Sequence, residues 1–488
     1  MRQAVLSQVD GRFMGRYLAL ALLLVGLLAV PSRESFAQHG APAGKKDNKK
    51  GAAGKATPSG TKTAPGAKTT PQQKPVPATN PGDTAVDPVT GLPKDYKVPP
   101  EKPDVMIEHE PLVTPEELTE LKKSLNAYKK ALNATGPLSD EQKAAVRKGI
   151  KYRLALVCEK ENLQKLHQFR EDLSVRDLQL AGKLQPAVDV RNFRKFILTE
   201  IVKQADALLK KNLYVRIQAV TLVGELDLTE ADTQRSLKLE AHADGLPLLA
   251  KVLADPEQPL AVKIAAARSI VRLLRYGVPS VPIKHEVANA VVAELKDSKK
   301  FFWYQLRLVE ALSLLDNALD LQNRKPFIVD TLRMVMNDPE RDWQVRAMAA
   351  RSLGRVPFDP AVSPPAVIGE VAVFARDMAK AAQQQPKNPI WKTNFWFLYL
   401  AFNAQDGTDQ DAARRGRGGF RNNALTASLS EPVYQLVLPI FNKLLADQPV
   451  TVELVKGLDD WVQKNYPQRA PVAAQEPGVN NARAGNQN

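Results

Sequence analysis

Three short turns, each opening on an aspartate, recur through the middle of this 488-residue chain at Asp255, Asp297 and Asp338, spaced 42 and 41 residues apart. An apolar run precedes each turn and a second run follows it. Gly245 to Leu253 leads into Asp255-Pro256 and on to Val262 through Ile270. Val287 to Leu295 leads into Asp297 and on to Leu306 through Leu314, and Pro326 to Met336 leads into Asp338-Pro339 and on to Val345 through Leu353. Within these runs the apolar residues fall at three- and four-residue intervals, the period of an amphipathic helix, and no convincing alternating strand pattern occurs. A pair of such helices cannot bury both stripes alone, so neighbouring pairs must stack along one apolar spine. Sheet-based folds are thereby excluded for the middle of the chain.

The runs after the turns are similar to one another in detail. Val262-Lys263 and Val345-Arg346 are each followed by small residues and then Ala267-Arg268-Ser269 or Ala350-Arg351-Ser352, while Leu306-Arg307 leads to Ala311. Upstream, Val215-Arg216 with Ala219 repeats the pattern, its partner helix lying at about Arg194 to Leu209. Downstream, Val433 to Leu445 and Val452 to Val462 form a last unit around Asp447, and a degenerate unit, Val367 to Ala401, lies between. Over roughly residues 190–465 these motifs resemble HEAT repeats, whose units have two helices, an aspartate turn and a second helix beginning Val-Arg. The resemblance implies an all-α fold, a right-handed α–α superhelix of the HEAT-like, armadillo-like solenoid type. It also implies a ladder in which Asp255, Asp297 and Asp338 pair with Lys263, Arg307 and Arg346 of neighbouring units, and a concave face lined by second helices. Arg216, Lys263, Arg307 and Arg346 stand at the start of that face and are candidates for contact with a protein partner.

Flanking segments read differently. Arg2, Arg12 and Arg16 precede an apolar run from Tyr17 to Val30, and Ser35-Phe36-Ala37 supplies small residues where a signal peptidase cuts. Pro31, Arg33 and Glu34 end that run short of the roughly 20 residues a membrane span needs, so residues 1–37 are expected to be a signal peptide and the chain to be exported, to the periplasm or the cell surface. Residues 38–112 are rich in Lys, Pro, Ala and Thr and hold too few large apolar side chains to offset the entropy of folding, so a disordered linker is expected there. Residues 467–488 read as a disordered tail. From 113 to 189 a helical cap is expected, opened by Thr114-Pro115-Glu116-Glu117 and by the capping-box pattern Ser139 to Gln142, with the second helix running towards Leu166. The repeats occupy 190–466, with a loop insertion at 403–430.

The net charge of +15 is concentrated between Lys45 and Lys74, where eight lysines face Asp47 alone. Inside the insertion, Arg414, Arg415, Arg417 and Arg421 surround Gly416, Gly418, Gly419 and Phe420 in an arrangement that resembles an RGG-type segment. Five scattered histidines and a single cysteine, Cys158, offer no metal-ligand or haem-attachment spacing, and no nucleophile elbow or phosphate loop is present. No catalytic residue, metal or cofactor is expected. The aromatic groups at Phe301 to Tyr304 and Trp391 to Tyr399 have the density of stacking platforms for sugars, but Phe395, Trp396 and Tyr399 fall at helical spacing, and core packing is expected. The chain is therefore expected to be a non-catalytic exported scaffold that binds protein partners. An anionic-polymer binder using the lysine tract and the Arg/Gly loop stays open as an alternative, as does an enzyme or lyase subunit on the same scaffold.

Overall fold

The computed structural model describes residues 110–182, 187–231, 237–297, 301–315, 325–358, 361–403 and 419–466, all within one compact unit, Asp95–Asn488. The signal peptide, the linker up to residue 109, Arg414, Arg415, Arg417 and the tail 467–488 lie outside the described residues.

The described fold is all-α. Thr114 caps α1 (Pro115–Lys123), its hydroxyl accepting from the Glu117 amide at 3.2 Å, and α2 (Leu125–Leu132) follows. The capping box at α3 (Asp140–Cys158) is complete: the Gln142 amide donates to Ser139 at 3.2 Å and the Ser139 amide to the Gln142 side chain at 2.9 Å. α3 stops at Cys158 rather than near Leu166. Glu159 turns extended, and the Asn162 amide group donates to the Leu156 carbonyl at 2.9 Å, satisfying an acceptor that the helix end leaves open.

Cys158 is buried at 2% exposure, and burial pushes its thiol up to about 12. Because the thiolate is the reactive form, native protein at pH 8 should resist a thiol reagent for as long as it stays folded and react once urea unfolds it. Equal labelling rates in both states would contradict this placement.

Beyond a broken helical stretch at 160–180, the helix pairs begin. They are α4 (Ala187–Ala205) with α5 (Leu213–Glu225), α6 (Leu246–Ala254) with α7 (Leu260–Tyr276), α8 (Val281–Asp297) with α9 (Phe302–Ser313), α10 (Phe327–Asn337) with α11 (Trp343–Leu353), and α12 (Pro364–Gln384) with α13 (Ile390–Phe402). First helices pack on first helices, α6 on α8, α8 on α10 and α10 on α12. Second helices pack on second helices, from α5 through α7, α9 and α11 to α13. One apolar cluster runs unbroken from Tyr128 to Val462 between the rows.

Close approach in the second row depends on small residues. Ser269 donates its hydroxyl to the Val220 carbonyl at 2.9 Å, and Ser352, at the matching position two units on, donates to Val309 at 3.3 Å. Each hydroxyl thus ties its helix to the preceding second helix while occupying little volume. Beside Ser352, Gly354 lies so near α13 that a Cβ there would stand 2.1 Å from the Ala401 carbonyl oxygen.

The final pair departs from the expected repeat. After α14 (Gly419–Asn422), α15 (Ala427–Leu445) packs on α13 in the second row and on α12, while α16 (Val452–Asn465) packs on α12 in the first row. The two helices have exchanged rows, so this pair closes the array instead of extending it. α15 also starts upstream of the expected Val433 and carries Pro432 and Pro439 within it.

A basic face on the row of second helices

Asp255 and Asp338 bond within their own turns rather than forming the ladder that the sequence suggests, and the Asp297 side chain lies outside the described residues. Asp255 and Asp338 fold back on their own turns, accepting from the amides of Glu257 at 2.9 Å and Glu340 at 3.0 Å. Each also orients the side chain three residues on: Gln258 donates to Asp255 at 3.1 Å and Arg341 to Asp338 at 3.1 Å. Those two side chains make the link between units. Gln258 reaches the Leu209 carbonyl at 3.3 Å, and Arg341 reaches the Leu295 carbonyl at 2.8 Å and Gln305 at 2.6 Å. An aspartate bound to its own turn amides is poorly placed to reach across units, and the longer side chain covers that distance.

The basic residues after Val are drawn inward for the same reason. Lys263, 6% exposed, pairs with Glu294 at 2.7 Å, and Tyr304 donates to the other oxygen of that carboxylate at 2.7 Å. Arg346, 8% exposed, donates to the Met336 carbonyl at 2.9 Å and lies 4.3 Å from the Trp343 ring centre and 5.2 Å from that of Phe374. Arg216 is half-buried, donating to the Lys211 carbonyl and to Gln258 at 3.4 Å. Burial draws the pKa of Arg216 and Arg346 down. Arg307, also half-buried, is the one of the four that shares its acid with another arginine.

Charge is divided sharply between the two rows. The second helices α7, α9, α11 and α13 carry eight basic side chains and one acidic one, Glu310, whereas the first helices α6, α8, α10 and α12 carry six of each. Part of the excess is matched locally. Besides Lys263 and Arg346, Arg272 forks onto both oxygens of Asp227 at 2.7 and 2.9 Å, and Lys392 pairs with Asp447 at 2.5 Å. Arg275 and Arg307 converge on Glu310, and Arg351 is near enough to act on its carboxyl. Arg275 meets one Glu310 oxygen at 2.8 Å and Arg307 the other at 2.5 Å. Burial alone would raise the Glu310 carboxyl, but Arg307, Arg275 and Arg351 together hold it below its ordinary value. Arg268 is exposed two turns before Arg275, and half-buried Trp303 sits one turn before Arg307. The sequence reading missed Arg268, Arg275 and Arg351. The signal that finds them is the charge count of second helices against first helices, legible once the pairs are delimited.

The Arg/Gly segment ends in fixed structure. Phe420 is 1% exposed, its ring 5.8 Å from Phe402 and 6.2 Å from Phe358. Gly419 has φ +65°, and a Cβ there would stand 2.2 Å from the Phe402 carbonyl oxygen. Arg421 pairs with Glu431 at 2.7 Å, donates to Asn403 at 2.9 Å and covers the Tyr434 ring at 4.1 Å. Phe420 therefore has no face available to stack on a base, and the aromatic half of the RGG-type reading fails. The aromatic runs behave as core: Tyr304, Trp391 and Phe395 are fully buried, and Trp396 stacks on Tyr399 with ring centres 5.6 Å apart.

A hairpin that no alternating pattern announces joins α5 to α6. β1 (Asp227–Thr229) pairs antiparallel with β2 (Glu240–Ala241), and Ala241 bridges to Gly277. Arg272, Arg194 and Arg191 anchor it through Asp227, Glu230 and Glu240. Strands this short leave too few alternations to read. At its end His242 is 2% exposed, its Nε2 has no hydrogen-bond partner, and burial lowers its pKa. Because the folded value lies below the unfolded 6.5, the unfolded chain takes up the proton first as pH falls. This contribution to stability is complete above about pH 6.5 and is lost on acidification. The urea midpoint should therefore drop more between pH 7.5 and 5.5 in the native chain than in His242→Gln, and parallel slopes would refute it.

Elsewhere, a cleft of about 400 Å³ lies between α10, the start of α12 and the end of α16, where Arg333 is held bidentately by Glu370. Among the described residues no helix is long and apolar enough to cross a membrane, and no group of three or more His, Cys, Asp or Glu side chains is placed to hold a metal ion. The sequence matches no protein-family model, and no curated protein or solved structure is significantly similar to it.

Proposed function

We propose that this chain is an exported, non-catalytic scaffold whose paired helices form a HEAT-type solenoid, a right-handed superhelix that holds a protein partner along its second helices. One observation carries the reading: first helices touch first helices, second helices touch second helices, and each pair packs mainly on its neighbours along a single apolar spine. Stacks built in this way present long repeating surfaces suited to extended partners. The second-helix row is the one with a distinctive surface, rich in arginine and with half-buried Trp303 one turn before Arg307, a composition that anchors protein interfaces. Export rests on the charged, apolar and small-residue sequence of residues 1–37.

The test is site-specific photo-crosslinking of the full chain in its native envelope. A photoreactive residue at Arg268, exposed on α7, should capture a reproducible partner, whereas one at Ala293, exposed on α8, should not. Equal capture from both rows, or from neither, would overturn the reading. Binding to anionic polymer remains a second proposal through the lysine tract at 45–74, without a stacking role for Phe420.

A further inference from the structure

We infer that the cleft between α10, the start of α12 and the end of α16 is the seat of this chain's own segment 467–472, held there by an ion pair between Arg469 and Asp330. The inference goes beyond the scaffold reading and does not depend on it.

Three observations converge on this occupant. First, the chain leaves its last helix inside the cleft. Tyr466, directly after α16, is one of the cleft walls, and its ring lies so close to α12 that a Cβ on Gly369 would stand 2.1 Å from it. Whatever follows Tyr466 begins at that wall. Such a tether gives the segment a roughly millimolar effective concentration, which a free partner would have to exceed. Pro467 and Pro471 have their φ angles already fixed, which lowers the entropy lost on docking.

Second, the cleft leaves one charge open, and it is negative. Glu370 accepts two bonds from Arg333, at 2.9 and 2.5 Å, so that guanidinium is already neutralised. Asp330, one turn before Arg333, reaches it at 3.5 Å and keeps its side chain 53% exposed. In the segment Pro-Gln-Arg-Ala-Pro-Val, Arg469 is the one charged residue. Three extended residues span roughly 10 Å. That is enough to carry Arg469 from Tyr466 towards α10, since Tyr466 is itself near enough to act on the Arg333 charge.

Third, the rest of the cleft suits small apolar residues and not an anion. Pro364 and Pro365 fill the first positions of α12 and have no N–H to donate, and the Val367 amide is bonded to the Ser363 carbonyl at 3.2 Å. A carboxylate or phosphate thus finds few donors there. Pro326, Ala361, Val362 and Pro365 line the cleft with short apolar side chains, which Ala470, Pro471 and Val472 match in size.

Trypsin reads the docking directly, because the tail holds two identical bonds, Arg469–Ala470 inside the segment and Arg483–Ala484 beyond it. Cleavage tracks the population of the open form, so in the native full chain the Arg469 cut should be at least roughly tenfold slower, relative to the Arg483 cut, than in a synthetic peptide of residues 465–488. Mass spectrometry of the timed digest gives both rates. Asp330→Asn should speed the Arg469 cut about threefold, the share of an exposed ion pair, and leave the Arg483 cut unchanged. Asp330→Glu should keep the protection, and added salt should weaken it. Circular dichroism confirms folding of each variant. Equal ratios in chain and peptide would overturn the inference. Protection that survives Asp330→Asn would also overturn it, since nearness to the folded body shields a bond without regard to that carboxylate. Protection that grows with protein concentration would overturn it in favour of the tail of a second copy. Photo-crosslinking at Arg268 reports on the second helices, so failure there removes the scaffold reading and leaves this one standing.

Discussion

Alanine in place of Trp391 lowers the stability of the folded unit by about 3–5 kcal/mol, the range for deleting a large buried aromatic. Trp391 is 1% exposed at the start of α13, its indole N–H donates to the Gln385 carbonyl at 3.0 Å, and its ring stands edge-on to Trp343 with centres 5.7 Å apart. Trp343 in turn carries the Arg346 guanidinium and contacts Phe374 of α12 with ring centres 6.0 Å apart. α12 and α13 do not pack closely on each other, so these rings fill the space between them. Removing one opens a cavity and unseats a buried arginine together. The measurement is urea unfolding followed by far-UV circular dichroism, with Trp391→Phe retaining most of the stability. A loss no larger than that for Leu425→Ala, which trims an exposed side chain, would show that the wedge is dispensable.

The second large effect is expected at Arg341. This guanidinium is 6% exposed and bonds the Asp338 carboxylate, the Gln305 side chain and the Leu295 carbonyl, thereby joining α8, α9 and the turn before α11. Arg341→Ala leaves those acceptors buried without this donor, at a cost of about 3–5 kcal/mol. Gln258→Ala, at the matching position two turn motifs earlier, removes a neutral link and should cost about 1 kcal/mol. Because each unit leans mainly on its neighbours, Arg341→Ala should also broaden the transition or split it in two, as the units on either side lose their connection. A single sharp transition with unchanged midpoint would argue that packing alone couples the units.

Both predictions concern positions whose importance the sequence states only in part. The helical spacing around Trp391 marks it as core, and nothing in that spacing shows that it separates two helices. Arg341 sits three residues beyond a turn aspartate, as Gln258 does, and the likeness is visible only when the two turns are superposed. The motif residues Lys263 and Arg346 attract notice because they recur, yet recurrence here reflects an internal task; Arg268 and Arg351 recur as well, and of these Arg268 is the one that stands exposed.

From the sequence alone came the helical character, the period of about 42 residues and the need for pairs to stack, because these follow from the spacing of apolar side chains along one strand of chain. Tertiary structure decided which arginines turn inward, the hairpin between α5 and α6, the exchange of rows by α15 and α16, and the gathering of three guanidiniums around Glu310. Those outcomes depend on which face of each helix meets a neighbour and how closely two backbones approach. Both are set by contacts between residues some 35 to 50 positions apart, whose energies no local pattern contains.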